Sequence, residues 1–193
     1  MKGIVFISNN YNKFKEIEKL FRKSSLKLMF LKDFKIYKEP KETGVTFIEN
    51  AKIKSEFGFK KLKHSCFADD SGICIEALNG KPGVFSKRFL QSFKNNEECF
   101  NYIIKKTNKT NKYKAYFKTS ICYTIKENYN IAFEGYVSGK IANKISGKEG
   151  FGYDPIFIPD GYKKTFADMR LIEKNKISHR SVAINKFINF LVN

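Results

Sequence analysis

The chain opens on Lys2–Ile7, a short apolar run that stops at Ser8-Asn9-Asn10 and gives way to Phe14, Ile17, Leu20 and Phe21 at helical spacing. No other feature narrows the fold so far. The run reads as a buried strand, and the stripe over Asn12–Lys23 as an amphipathic helix. Leu26–Leu31 follows as a second strand. Strand, helix, strand calls for a crossover, which sets the two strands parallel and the chain in the α/β class.

Farther along, Pro40–Gly44 is a break and Thr46–Leu62 reads as a helix. Cys66–Asp69 and Ile73–Ala77 read as short strands flanking an Asp70-Ser71-Gly72 turn, and Asn79–Gly83 as a second turn. Asn96–Lys106 is helical in pattern, with the low-complexity stretch Lys105–Lys114 as a solvated loop or helix end. Tyr113–Ile125 and Tyr129–Ile141 form a hairpin pattern around Glu127-Asn128. Gly147–Pro159 is a loop punctuated by glycine and proline, and Ser178–Leu191 a closing helix. At 193 residues, with 42% hydrophobic and 16% aromatic content, residues 1–193 are expected to form a single domain with an ample core.

Several classes fall away. No apolar run approaches the roughly 18–20 residues of a membrane helix, and the opening run is too short for a secretory signal. Cys66, Cys74, Cys99 and Cys122 form no CxxC pair and do not cluster with His64 or His179, so they read as reduced, buried thiols in a cytoplasmic protein. His64 reads as a plain surface or loop residue. The formal charge of +18 suits a polyanionic partner. The lysines, however, are spread along the chain among Asn, Ile and Phe, and no RRM or KH signature accompanies them. A basic nucleic-acid-binding protein is the rival reading from a different class. Only four of the 37 basic residues are Arg, which makes each Arg more informative than any Lys.

Five segments can carry chemistry. Ser8-Asn9-Asn10-Tyr11-Asn12-Lys13 joins strand to helix, where unpaired N–H groups and the helix dipole suit a phosphate. Asp69 and Asp70 at a strand end can hold Mg2+ and orient a water, or simply cap a turn. Glu42 and Lys54 bracket a helix start and can face the same mouth. Phe151-Gly152-Tyr153-Asp154 lets backbone and ring approach a flat ligand. Lys174, His179 and Arg180 offer donors around the start of the last helix.

In this order, SNNYNK, ETGVTFIENA, ADDSG, KPGVFSKR, GFGYDPIF and EKNKISHR resemble the inosine triphosphate pyrophosphatase family, the XTP/dITP diphosphatases. The resemblance runs from the first strand to the last helix. It implies a mixed, elongated and twisted sheet flanked by helices, with two lobes and a nucleotide cleft between them. It also implies a homodimer that uses Mg2+ and cleaves a purine nucleoside triphosphate (ITP, dITP or XTP) to the monophosphate and pyrophosphate. No membrane and no specific nucleic acid is implied as a partner.

The resemblance gives residues roles. Ser8, Asn10 and Lys13, within a loop that includes Asn9, Tyr11 and Asn12, match phosphate-binding positions. Asp70 matches the catalytic base and a metal ligand, and Ser71 a substrate contact. Phe151, Gly152, Tyr153 and Asp154 match the base-binding loop, and Lys174, His179 and Arg180 the remaining nucleotide contacts. The chain departs from the pattern at Lys41-Glu42, where many members have two Glu. Glu42 is taken as the metal carboxylate, with Asp69 and Asp70 beside it. His179 and Arg180, as donors, suit a 6-keto oxygen and oppose the 6-amino group of adenine. A pyrophosphatase of another modified-nucleotide class is the enzymatic alternative.

Overall fold

A computed structural model describes residues 3–22, 24–36 and 38–192. Lys2 and Lys23, the outer ends of the first expected strand and helix, lie outside the described residues. The opening pattern becomes β1 (Gly3–Phe6), α1 (Tyr11–Phe21) and β2 (Lys27–Phe30). The two strands are parallel, with Gly3 opposite Lys27 and Phe6 opposite Phe30.

Helix α2 (Phe47–Leu62) starts after Thr46. The Thr46 hydroxyl accepts from the Glu49 N–H, and the Glu49 carboxylate accepts from the Thr46 N–H, a reciprocal cap that fixes the start. Next comes β3 (Cys66–Ile75), and here the expectation of two strands around a turn is overturned. One strand runs through Asp70-Ser71-Gly72. Both aspartates are buried and engaged by side chains from helices.

Helices α3 (Ser86–Gln91) and α4 (Asn96–Thr110) follow. Sequence reading misses α3, which at six residues is too short to show a period. The end of α4 also runs past its expected limit. Thr107 and Thr110 return their hydroxyls to the Ile103 and Lys106 carbonyls, and the helix stops at Asn111 in a left-handed conformation, φ 53°. Strands β4 (Lys114–Lys126) and β5 (Tyr129–Ile141) form the expected hairpin, with Asn128 at φ 57° in the connection. The loop expected at 147–159 contains β6 (Phe157–Pro159), antiparallel to β5. Short α5 (Leu171–Lys174) and α6 (His179–Val192) complete the chain.

The strands form one mixed sheet in the order β2-β1-β3-β4-β5-β6. By contacts the chain divides into two compact units. The first holds residues 1–70, 119–135 and 180–193, and the second holds 71–118 and 136–179. Each has its own core. In the first unit Phe67 stacks on Phe6 at 5.0 Å and meets Phe187 at 4.8 Å, with Ile4, Ile17, Phe21, Ile121 and Ile184 around them. In the second, Phe117, Phe157 and Phe166 pack together with Ile73, Ile75, Phe100 and Ile103. Such ring pairs add about 0.5–1.5 kcal/mol each beyond the area they bury.

Candidate active site

Successive side chains of a strand point to opposite faces, and this rule organises the first unit around β3. Phe67 and Asp69 share one face, Ala68 and Asp70 the other. Phe67 packs with residues of α1 and α6, and Ala68 lies in a separate cluster with Val5, Ile7 and Leu31. The two neighbouring carboxylates therefore belong to different environments.

Asp69 is fully buried and meets Lys13 of α1, whose Nζ lies 3.0 and 2.9 Å from its two carboxylate oxygens. Arg180 of α6 reaches the same carboxylate, with Nε 3.5 Å from Oδ2. The Arg180 guanidinium also pairs with Glu16 on α1, one helical turn beyond Lys13. Alternating charges thus run Glu16, Arg180, Asp69, Lys13. Burial pulls the Lys13 ammonium below its ordinary pKa, in spite of Asp69.

On the other face, Asp70 takes a hydrogen bond from Asn50 Nδ2 to Oδ2 at 3.1 Å, and Lys54 Nζ lies 3.8 Å from Oδ1. Asn50 and Lys54 sit four apart on α2, so one helix face delivers both. Lys54 also donates to Glu42 Oε1 at 2.7 Å. Burial pushes the Asp70 carboxyl above the usual carboxylate range, and the positive charges of Lys54 and Lys13 offset this only in part. For Glu42 burial works in the same upward direction, but the charge and hydrogen bond of Lys54 win and hold it low. Burial alone would lower Lys54; Asp70, Asp69 and Glu42 together raise it.

The phosphate-type turn forms as a cap. Asn10 Oδ1 accepts from the Lys13 N–H at 3.1 Å, and Ser8 Oγ accepts from the Asn10 N–H at 3.1 Å. The Asn9 N–H donates to Glu39 at 3.0 Å. Tyr11 and Asn12 are exposed, and Lys15 lies over the Tyr11 ring at 4.8 Å. Ser8 and Lys13 are thus in the first unit with Glu42, Lys54, Asp69, Asp70 and Arg180.

The second unit holds the other expected contacts. Asp154 accepts from the Phe151 N–H at 2.8 Å and from Lys174 Nζ at 2.6 Å. Lys174 Nζ lies 5.1 Å from the Phe151 ring centre and 5.4 Å from that of Phe166. Gly150 is held at φ 73°, and a Cβ there would stand 2.1 Å from the Asp154 carboxylate, so only glycine fits. Tyr153 is buried and donates its hydroxyl to the Ser86 carbonyl at 2.7 Å. That fixes its ring in the core, and burial raises its phenol pKa. Phe151 and Gly152 retain partial exposure, as does Ser71 on β3. His179 stacks on Phe117, with centroids 4.7 Å apart and planes 9° from parallel.

Among the described residues no three His, Cys, Asp or Glu side chains gather into a metal cage. His64 is exposed, its Nε2 3.2 Å from the Gly3 carbonyl oxygen, and all four cysteines are buried and free. Two residues escape sequence reading. Glu16 is a buried carboxylate hidden in an otherwise charged helix face, and its signal was only its place one turn after Lys13. Asn50 stands inside ETGVTFIENA, where its polar side chain four residues before Lys54 was the available sign.

Comparison with known proteins bears on the same residues. Residues 4–190 match the Ham1 family. A dITP/XTP pyrophosphatase of Christiangramia forsetii is 40% identical over 188 residues, covering 97% of this chain and 98% of that protein. One from Borreliella burgdorferi is 41% identical over 201 residues, covering 100% and 97%. Among solved structures, a HAM1 protein from Coxiella burnetii superposes with a TM-score of 0.89 at 35% identity, covering 100% of this chain and 99% of that one. The Ham1 protein of Staphylococcus aureus gives 0.85 at 36%, covering 99% and 98%.

Proposed function

Since the chain belongs to the Ham1 family, we propose that it is a nucleoside triphosphate pyrophosphatase acting on non-standard purine nucleotides, ITP, dITP and XTP. The observation that most supports this is the charge group of the first unit, buried except at the partly exposed Glu42. It sets four carboxylates, Glu16, Glu42, Asp69 and Asp70, against three cations, Lys13, Lys54 and Arg180. Among them Asp70 is the carboxyl that burial raises.

That donor set fits a hard divalent cation. Mg2+ is ordinarily held by one or two carboxylates together with substrate phosphates, without a full protein cage. Glu42 and Asp70, which share Lys54, would hold it, while Asp69 is taken up by Lys13 and Arg180. When bound, such an ion supplies positive charge against the roughly four negative charges of a triphosphate.

Ser8, Asn10 and Lys13, with the first turn of α1, bind the phosphates. Asp70 is the general base, and its raised proton affinity makes it a stronger one than an exposed carboxylate. It takes a proton from water while the water oxygen bonds to the α-phosphorus. The bond from that phosphorus to the bridging oxygen breaks, and pyrophosphate leaves with the electron pair. Lys54 and Lys13 offset the charge that builds on the phosphate oxygens. Ser71, Phe151, Gly152, Tyr153, Asp154, Lys174 and His179 belong to the nucleotide side of this reading, with Arg180 facing a 6-keto oxygen. In it Phe151 offers the ring face for stacking, whereas Tyr153, Asp154 and Lys174 shape the loop from beneath. Mg2+ as the ion, a homodimer and a cytoplasmic setting complete the reading. Four buried free thiols suit that compartment.

A substrate panel of ITP, dITP, XTP, GTP, ATP and dTTP with Mg2+, scored by pyrophosphate release, tests it. The expected result is pyrophosphate from the first three well ahead of ATP and dTTP. Release of orthophosphate, or a preference for dTTP, would overturn it.

A further inference from the structure

Asn50 is fully buried, and both ends of its amide are engaged. Its Oδ1 accepts from the Gly44 N–H at 2.8 Å. A backbone N–H can only donate, so the carbonyl end of the amide must face Gly44. The NH2 end is thereby turned to Asp70, where Nδ2 donates to Oδ2 at 3.1 Å. Gly44 admits this closeness: a Cβ there would stand 2.8 Å from Asn50 Oδ1 and 2.6 Å from the Glu49 Cβ. Glu49 pins the same segment by accepting from the Val45 N–H at 2.7 Å.

We propose that Asn50 is a positioning residue for the hydrolytic reaction, fixing the Asp70 carboxylate and tying it to the segment that carries Glu42. With Oδ2 held as an acceptor of the Asn50 amide, Oδ1, on the Lys54 side, is the oxygen directed to the reaction. Gly44 stands two residues after Glu42, so one amide registers both carboxylates against α2. This rests on the reading of Asp70 as the base.

The test is Asn50→Asp, which keeps the volume and can still accept from Gly44 but presents an acceptor to Asp70. We expect kcat for ITP to fall about 100-fold, the usual scale for a misplaced reacting group, with KM within about threefold of wild type, since Asn50 is placed on Asp70 and not on the phosphate turn. The melting temperature should fall too, because two carboxylates then face each other. The Asn50→Asp/Asp70→Asn double variant restores one donor and one acceptor and should recover that melting temperature while staying inactive. A merely structural Asn50 predicts equal activity per folded molecule, and a double variant that does not recover its melting temperature would show that the Asn50–Asp70 contact is not what was lost; either result overturns the proposal. The two readings fail separately. Full turnover by Asp70→Asn would sink the assignment of the base, whereas an inactive Asp70→Asn beside an unimpaired Asn50→Asp would sink the positioning role alone.

Discussion

The two units bury charge in opposite ways. In the second, Asp154 and Lys174 pair at 2.6 Å, with Lys174 beside the Phe151 and Phe166 rings and Asp154 accepting from a backbone N–H. One carboxylate meets one ammonium, and the pair holds a glycine-bent loop in shape. In the first unit charges are shared, so that Asp69 answers to Lys13 and Arg180, and Lys54 to Glu42 and Asp70. Burial raises the proton affinity of one of its carboxyls, Asp70. A matched pair in low dielectric is a structural device, because nothing further is gained by bringing in a ligand. A carboxyl whose proton affinity is raised by burial beside shared charges is the usual signature of a site built for chemistry. The charge of +18 over the whole chain says nothing of this.

The sharpest break of that comparison is Asp70→Asn. Turnover of ITP should drop by at least about 1,000-fold, the scale expected when a positioned base is lost. The stability effect should have the opposite sign. Burial raises the Asp70 pKa above its unfolded value, so this group stabilises the fold at acid pH, and that contribution is lost as pH rises through the folded pKa. In cation-free protein the variant should therefore melt higher than wild type at neutral pH, and the two curves should converge in acid. A lower melting point for the variant at neutral pH would mean that Lys54 and Asn50 fully compensate the charge.

Arg180→Ala comes next. It leaves Glu16 without this partner and Asp69 with Lys13, and the loss should approach about 3–5 kcal/mol, the range for breaking a buried ion pair. Lys174→Met should cost less, because Asp154 keeps the Phe151 N–H and its own charge can be neutralised by protonation. If Arg180 also reads the 6-keto oxygen, its removal narrows the ITP-to-ATP ratio of kcat/KM from both sides. Thermal melts with the two kcat/KM values separate these roles, and an unchanged ratio assigns Arg180 to the ion pairs alone.

Much of this was legible in the residues, for local reasons. The alternation of apolar run and helical stripe at 2–31 requires a parallel strand pair, and Tyr113–Ile141 carries hairpin chemistry in its Asn128. What was not legible was decided by tertiary contact. Asp70-Ser71-Gly72 has turn composition, yet β3 passes straight through, because Lys13, Asn50, Lys54 and Arg180 come from distant segments to satisfy the two carboxylates. The same pleat that hides this continuity separates Asp69 from Asp70, which a linear reading joins as one acidic pair. Tyr153 looks like a stacking ring in GFGYDPIF, but its hydroxyl finds the Ser86 carbonyl. No local rule announces a partner 67 residues away.

The smallest effect expected is a difference in how the two units open. Cys66 lies in the first unit, its thiol donating to the Ser55 carbonyl at 3.2 Å, and burial pushes its pKa up to about 12. Cys99 lies in the second, raised by burial to about 11. Both thiols are fully buried, so a thiol reagent can reach them only through opening, and each labelling rate reports the local opening equilibrium of its own unit. The sign with pH is set by the raised values. A thiol whose folded pKa exceeds its unfolded one stabilises the fold fully below the unfolded value, near 8.5, and this is lost as pH rises through the folded value. Labelling compared between pH 7 and pH 9.5 should therefore accelerate beyond the gain in thiolate of an unfolded control. At fixed pH, Arg180→Ala should speed Cys66 by more than Cys99, since the ion pairs it breaks belong to the first unit, while Lys174→Met should do the reverse by a few-fold. Equal acceleration of both thiols by either variant would mean that the chain opens as one cooperative body, and the contrast between the two charge groups would then have no separate bearing on stability.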